Sequence, residues 1–251
     1  MSRKFIDWYS AVSLGLVSGN FVYNLFGFND AVGTSFIPAW ENATAYTFPV
    51  TATQMEIVST DPADVGMVVS IFALNDEYEV VSPTVVLNGT TPVPIVPVDS
   101  DVELYRINSA ILIQGTAAGT ITIRPLGGGT TYAQINPGVG KTQMSILTVP
   151  KNYAFALYRI DSYCATALQN NRILTFRNQV TNAETDTEFH VAQTDFRTNL
   201  NVARYMPFVY TQKSDIQLQV KSDNGTQFVS VFGEGILHRN GDAAIGPAQP
   251  F

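Results

Sequence analysis

The stretch KSDIQLQVKSDNGTQFVSVFGEG, residues 213–235, carries the clearest structural signal in the chain. An apolar residue stands at every second position from Ile216 to Val220, and the alternation resumes at Val229 and Val231 after the turn SDNGT. Successive side chains of a strand point to opposite faces, so this period predicts strands with one apolar and one polar face. We therefore expect a half-buried antiparallel hairpin that closes at the Asn-Gly pair.

The same period of two recurs along most of the chain. It is found in RINSAILIQ, GTITIRPL, TQMSILTVP and NYAFALYRIDSY, which begin at residues 106, 119, 142 and 152. The segment VGMVVSIFALNDEYEVVSPTVVL, residues 65–87, is apolar at both sets of positions, which predicts strands that lie between packed layers. Helical spacing is scarce. These patterns predict an all-β fold of one or two antiparallel β-sandwich units, of the jelly-roll or immunoglobulin-like kind, with an N-terminal arm and a C-terminal tail.

Composition shifts suggest where the units begin and end. We predict an anchoring arm (1–45), a β-sandwich (46–126), a Gly-rich connector (127–141), a second β-sandwich (142–238) and an extended tail (239–251). A single larger sandwich is the alternative. In the arm, apolar residues fall at helical spacing at Phe5, Trp8, Tyr9, Val12 and Leu16, so a short amphipathic helix and an extended arm both stay open.

The stretch TVVLNGTTPV, residues 84–93, raises the question of what Asn88 does. Asn42, Asn88 and Asn224 all match the glycosylation sequon, but two of them are Asn-Gly pairs of the kind that tight turns require. We interpret Asn88-Gly89 as a turn. The prolines at 92, 94 and 97 then predict that the following segment is an edge strand or a connector.

Composition excludes several classes of function. Hydrophobic residues make up 45% of the 251 residues, and 14 basic against 21 acidic side chains give a net charge of -7. That balance repels phosphate backbones, so nucleic acid is not an expected partner. No apolar run reaches the ~18 residues that a membrane span needs. With Cys164 as the single cysteine, no internal disulfide can form, and we expect this side chain to be a small buried hydrophobe.

Motifs for catalysis or metal binding are incomplete. PGVGKT, residues 137–142, resembles the end of a phosphate-binding loop, but Ile135 stands where the motif needs glycine and a strand pattern follows. His190 and His238 lie far apart in sequence. Acidic pairs such as Asp99 and Asp101 lack the glycine and glutamate of a calcium loop. We predict no catalytic, metal-binding or cofactor-binding residues and no enzyme activity, although a paired-carboxylate hydrolase is left open.

Aromatic side chains are plentiful, with 15 Phe, 11 Tyr and 2 Trp. The run ARYMPFVYTQ places Tyr205, Phe208 and Tyr210 close together. Most rings belong in a core, but some could form a carbohydrate-stacking platform or a subunit contact, because aromatic side chains favour both settings.

In combination, several phrases resemble a family of virion structural proteins from tailed phages, common among marine and freshwater phages. They are SLGLVSGNFVYNLFGFN, FNDAVGTSFIPAW, AYTFPVTATQMEIVSTDPAD, VVSIFALNDEYEVVSPTVVLNGTTPV, YRINSAILIQGTAAGTITI, TVPKNYAFAL and KSDIQLQVKSDN with GEGILH. They cover the chain from about residue 11 to residue 238. Ala73 departs from the family pattern, in which glycine precedes the leucine.

The resemblance implies a non-enzymatic virion protein that folds in the host cytoplasm and assembles in many copies. A capsid decoration or cement protein is the leading expectation. It would be a homo-oligomer, with a trimer favoured, and its partners would be the major capsid protein or other virion proteins. The arm from Phe5 to Phe28 would anchor it, with Trp8, Tyr9, Phe21, Tyr23 and Phe26 as candidate partner contacts. A tail, neck, baseplate or fibre-base component is the first alternative, and a receptor- or glycan-binding module is the second.

Overall fold

The computed structural model describes residues 7–97, 100–165 and 172–240. Phe5 of the predicted anchor and residues 241–251 of the predicted tail lie outside these ranges. The described residues form α1 (Trp8–Ser13), β1 (Asn20–Val32), β2 (Ile37–Pro38), β3 (Met55–Ser59), a 3-10 helix (Pro62–Asp64), β4 (Val68–Asn75), β5 (Val80–Val81), β6 (Thr84–Val86), β7 (Val93–Pro94), β8 (Leu104–Leu112), β9 (Ile121–Pro125), β10 (Ala133–Ile135), β11 (Ile146–Thr148), β12 (Tyr153–Cys164), β13 (Leu174–Asn182), β14 (Thr187–Phe196), β15 (Asn199–Tyr210), β16 (Ser214–Ser222) and β17 (Gln227–Arg239).

The strands of the described residues form four sheets. Sheet A has the order β1-β17-β12-β15, and sheet B has the order β11-β16-β13-β14 with β2 also paired to β16. Sheet C contains β5, β6 and β8 around β4, and sheet D has the order β10-β9-β3-β7. The pairings of β1 with β17, β12 with β15 and β13 with β16 are antiparallel, as are those within sheets C and D. The predicted all-β fold with antiparallel sheets is confirmed.

The buried side chains form two hydrophobic clusters. One cluster runs from Trp40 to Ile146 and fills the space between sheets C and D. The other joins Leu25, Val32 and Ala39 to residues of the C-terminal half and fills the space between sheets A and B. We call residues 40–146 the inserted unit, and residues 7–39 with 147–240 the enclosing unit. The inserted unit therefore lies in the sequence between two parts of the enclosing unit, the first of which ends at Ala39 and the second of which begins at Leu147.

These clusters place the predicted segments in the fold. Residues 20–38 of the predicted arm contribute β1 and β2 to sheets A and B. The predicted connector, residues 127–141, contains β10 of sheet D. Sheet C lies between layers, as predicted for residues 65–87: Val69 and Ile71 of β4 face the core of the inserted unit, while Phe72 packs against the core of the enclosing unit.

The predicted hairpin at residues 213–235 is wrong, although both strands exist. β16 belongs to sheet B and β17 to sheet A, so the turn at Asn224-Gly225, where Gly225 has φ 65°, carries the chain from one sheet to the other. β16 is central and buried on both faces. Its polar side chains are satisfied inside the protein: Gln219 donates to Gln217 at 2.8 Å and accepts from Arg177.

The turn at Asn88 also connects strands of two different sheets. Gly89 has φ 58°, and the backbone N–H of Thr91 donates to the carbonyl of Asn88 at 3.1 Å, so the predicted turn is confirmed. The flanking strands β6 and β7 nevertheless lie in sheets C and D. β7 is an edge strand that contains Pro94, as the prolines predicted. In a sandwich, consecutive strands cross between layers, and a strong turn signal does not by itself imply pairing.

A buried ion pair joins the two units. Nη2 of Arg106, on β8, lies 2.8 Å from Oδ2 of Asp215, on β16, and both side chains are nearly inaccessible to solvent. Thr148 donates its hydroxyl to the same carboxylate. The amide of Asn108 bonds both the N–H and the carbonyl of Thr148, at 2.8 and 2.9 Å. A desolvated pair is stable only when its remaining hydrogen-bonding groups are satisfied, and these contacts meet that need.

Candidate interaction surface

The helix α1 presents most of its side chains to solvent. Asp7 caps it by accepting hydrogen bonds from the backbone N–H of Ser10 at 3.0 Å and from its hydroxyl at 2.6 Å, which lowers the pKa of Asp7. Val12 is its buried side chain. Gly15, with φ 70°, follows the end of the helix at a conformation that glycine adopts readily. The helix is therefore held by few contacts and displays its aromatic rings.

Four of the five predicted partner contacts are exposed. Trp8 and Tyr9 on α1 are 46% and 53% exposed, and Phe21 and Phe26 on β1 are 53% and 41% exposed. Leu14, Leu16 and Val22 are also exposed. We call these seven side chains the N-terminal patch, a name for one segment of the chain and not for one face, because Phe21 and Val22 of β1 point to opposite sides of the sheet. Exposed aromatic side chains are enriched where a protein contacts another molecule.

Tyr23, the fifth predicted contact, has a different environment. Its ring packs edge-on against Phe72 of the inserted unit and Phe155 of the enclosing unit, at centroid distances of 5.7 and 6.3 Å. Its hydroxyl donates to the carbonyl of Asn108 at 3.2 Å, and burial raises its pKa. Tyr23 therefore contributes to the junction between the two units.

A groove crosses the outer face of sheet A beside α1. It encloses about 480 Å³ and is lined by residues of α1 and of all four strands of the sheet, among them Tyr9, Tyr158, Arg159, Arg204, Tyr205 and Glu234. A second hollow of about 230 Å³ continues it along β12 and β15, with Asp161, Tyr163, Asn199 and Asn201 in its wall. Arg159 lines both hollows, and we call the two together the sheet A groove.

A bulge shapes the wall of this groove. Leu157 pairs with Phe208 and Arg159 with Ala203, so residues 204–207 of β15 face the single residue Tyr158 of β12. The extra residues push out from the edge of the sheet, and Tyr205 is 100% exposed as a result. Bulges of this kind re-aim side chains at the edges of sheets.

The charged groups of the sheet A groove balance one another. Nε of Arg159 lies 2.8 Å from Oδ2 of Asp161, and the other oxygen of Asp161 accepts from Asn201 at 2.5 Å. Arg204 packs its guanidinium 4.0 Å from the ring centroid of Phe208. With Glu234 as the second acidic group, the lining carries two positive and two negative charges.

Tyrosine rings form the apolar part of the sheet A groove. Tyr9 and Tyr158 meet edge to face at a centroid distance of 5.4 Å. Partial burial, with Tyr9 close by, raises the pKa of Tyr158. Of the three side chains that the sequence suggested as a stacking platform, Tyr205 is exposed, whereas Phe208 and Tyr210 are 7% and 3% exposed and belong to the core. Among these three, Tyr205 is the side chain whose ring is accessible to another molecule.

The side chains suited to catalysis or metal binding are dispersed. No group of three or more His, Cys, Asp or Glu side chains comes together among the described residues. His190 lies 3.8 Å from Glu188 on the surface, and His238 bonds Asn20 at 2.8 Å. Cys164 is buried, as predicted. The phosphate-loop-like segment is followed by the strand β11, also as predicted. No helix in the described part of the chain is both long and apolar enough to cross a membrane.

Sequence reasoning missed Tyr158, Arg159 and Glu234 as members of one site. The outward positions of β12 and β17 carry them, but the bulge that brings them together with Tyr205 depends on strand register, which leaves no mark in the sequence. The available signal was the combination of tyrosine, arginine and carboxylate residues in YRIDSY.

Comparison with known proteins gives no family assignment. No protein-family model matches the chain. The search of curated proteins also found no match. Among solved structures, a chain in the structure of infectious bursal disease virus, Gt strain, is similar to this one with 10% sequence identity and a TM-score of 0.22. The match covers 90% of this chain and 72% of the viral chain. The Gx strain of the same virus matches with 9% identity and a TM-score of 0.23, over 89% and 71%.

Proposed function

We propose that this chain is a non-enzymatic structural protein of a phage virion that decorates the capsid and clamps neighbouring capsid subunits. The N-terminal patch carries the proposal. Seven large apolar side chains between Trp8 and Phe26 are exposed on the isolated chain. Covering them in an assembled particle would remove apolar surface from water, and aromatic rings are enriched at such contacts.

The edges of the sheets support a homo-oligomer, for which a trimer is the favoured order. β14 ends sheet B, β15 ends sheet A, and the two strands follow one another in the chain. The free edge of a strand offers backbone N–H and carbonyl groups to another chain. Copies in which β14 of one chain pairs with β15 of the next would satisfy those groups, and three of them would close into a symmetric ring.

A binding role on the capsid would act by mass action. A protein that binds the assembled shell and not its separate subunits stabilises the shell by an amount that grows with the logarithm of its concentration relative to its Kd. The major capsid protein is the proposed partner. A component of the tail, neck, baseplate or fibre base could use the same patch, and the number of copies separates the two locations.

The deciding experiment is the stoichiometry of this chain in purified particles, measured by quantitative mass spectrometry against the major capsid protein. Decoration predicts roughly one copy for every one to three capsid subunits, because a decoration protein follows the symmetry of the shell. A ratio below roughly one in thirty would instead indicate a ring of the tail or neck. Absence from purified particles would refute both locations.

A further inference from the structure

The sheet A groove combines aromatic side chains with small polar side chains. Tyr9, Tyr158, Tyr163 and Tyr205 supply aromatic surface, while Asn199, Asn201 and Ser230 supply hydrogen-bonding groups. Tyrosine offers rigid amphipathic contact area at low conformational cost, and serine and asparagine offer adaptable hydrogen bonds. This composition is typical of a binding surface.

The size of the groove suits a small extended ligand. Its larger hollow, of about 480 Å³, falls within the range of ligand pockets, which is about 300–1,000 Å³. The second hollow extends it along the sheet through Arg159. An elongated molecule of repeated units fits such a trough better than a compact one.

The charges of the groove indicate a neutral ligand. Arg159 is paired with Asp161, and the formal charges of Arg204 and Glu234 cancel. An anionic ligand would meet two carboxylates, and a cationic ligand would meet two guanidinium groups. Neither gains a net attraction over the whole groove.

Most of the polar groups that line the groove are planar, such as the guanidinium of Arg159 and the carboxylates of Asp161 and Glu234. Guanidinium, carboxylate and carboxamide groups can each make two parallel hydrogen bonds to neighbouring hydroxyls. A sugar ring has apolar C–H groups on its faces and hydroxyls around its rim, so it complements an aromatic surface bordered by such groups. We propose that the sheet A groove binds a neutral oligosaccharide, with Tyr205 and Tyr158 as the stacking residues and Arg159, Asp161 and Glu234 as the hydroxyl-binding residues.

This site overlaps the surfaces of the proposed structural role only in part. Tyr9 and Val22 of the N-terminal patch line its main hollow, whereas Trp8, Leu14 and Leu16 do not. The protein could be attached through the patch while the part of the groove near Tyr163 and Asn199 stays open. Particle incorporation and sugar binding can therefore fail separately.

The test is binding of the purified full-length chain to an array that carries neutral hexose and N-acetylhexosamine oligosaccharides beside sulfated and sialylated ones. We expect binding to at least one neutral oligosaccharide. Tyr205→Ala should weaken that binding about tenfold, because it removes an aromatic contact from a side chain that is free of the core. Tyr158→Phe, which keeps the ring, should weaken it less.

Phe189→Ala is the matched control. Phe189 is an exposed aromatic residue on β14 of sheet B and does not line the groove, so its loss should leave binding unchanged. Three results would overturn the proposal: no binding to any neutral oligosaccharide, binding to acidic glycans alone, or binding that Tyr205→Ala does not weaken. These results would leave the stoichiometry in particles, and therefore the proposed virion role, unaffected.

Discussion

The two units of this protein expose different kinds of apolar side chain. In the inserted unit, the large exposed apolar residues are all aliphatic, and none of the described residues between 40 and 146 is an exposed aromatic ring. In the enclosing unit, the exposed rings are Trp8, Tyr9, Phe21, Phe26, Tyr163, Phe189, Tyr205 and Phe228. Scattered aliphatic residues are normal on a protein surface, whereas aromatic rings are enriched at interfaces. This contrast is the basis for our proposal that the enclosing unit is the part that contacts other molecules.

The inserted unit uses its own rings internally. Trp40, Tyr46 and Phe48 stack edge to face at centroid distances of 5.1 and 5.0 Å. The guanidinium of Arg106 lies 3.9 Å from the ring centroid of Tyr105, which combines a cation–π contact with the ion pair to Asp215. The inserted unit therefore keeps these rings inside, and the Arg106–Asp215 pair adds a buried charge to the contacts that Tyr23 and Phe72 make between the units.

The largest effect on stability should come from breaking that connection. Arg106→Ala leaves Asp215 buried without its partner, so it should lower the free energy of unfolding by about 3–5 kcal/mol. Urea denaturation measures this loss. Lys151→Ala, which breaks a surface contact with Glu77, is the control and should cost less than about 1 kcal/mol. Equal losses for the two variants would show that the buried pair does not hold the units together.

The second-largest effect on stability should come from ionisation of Glu41, a residue at the start of the inserted unit that is 9% exposed. Burial raises its pKa to about 7, although it accepts backbone N–H bonds from Gln143 and Asn136 at 3.2 Å each. The pKa of Glu41 is higher in the folded protein than in the unfolded chain. Its carboxyl therefore contributes folding stability that is fully present below about pH 4.5 and is lost as the pH rises through 7. Unfolding free energy should fall by up to about 3 kcal/mol across that window.

Glu41→Gln tests this assignment, because glutamine cannot ionise. Chemical denaturation at a series of pH values should show that the decline between pH 4.5 and 7 disappears in the variant. If the variant shows the same decline, a group other than Glu41 causes the pH dependence of stability.

The smallest effect on stability should come from the N-terminal patch. Leu14 and Leu16 are 65% and 63% exposed, so replacing both with serine should change the free energy of unfolding by less than about 0.5 kcal/mol per site. The same double variant should lose at least tenfold in particle incorporation, because the patch would no longer dock. Val50→Ser with Val65→Ser removes two aliphatic residues of the inserted unit that are at least 60% exposed, and should not change incorporation. Equal incorporation of the patch variant and wild type would refute the anchor.

The sequence predicts local structure well here, because alternation and turn chemistry are local properties. The strands around Ile216, Ile121 and Leu157 and the turns at Gly89 and Gly225 all follow from residues within a few positions of them. Which strands pair with one another is not a local property. β16 and β17 share one pattern, yet β16 is buried on both faces because a second layer covers the face that carries Gln217 and Gln219.

The candidate site was partly visible in the sequence. Helical spacing drew attention to Trp8 and Tyr9, and both are exposed. Tyr23 shares their chemistry and their segment, but strand alternation on β1 turns it toward Phe72. The sheet A groove depends on the offset between β12 and β15, and such an offset arises from tertiary packing that no short stretch encodes.

The pairing of β1 with β17 has a consequence for how the chain folds during synthesis. Asn20 pairs with His238 and Phe26 with Phe232. β1, near the start of the chain, can therefore form these hydrogen bonds only after β17, near its end, has been synthesised. The inserted unit consists of contacts within residues 40–146 and can form while the rest is still being translated. Pairings between such distant segments are slow to form, so sheet A should be the late and rate-limiting step. Until then, the aromatic N-terminal segment is exposed in the cell, and a truncated chain that lacks β17 should aggregate.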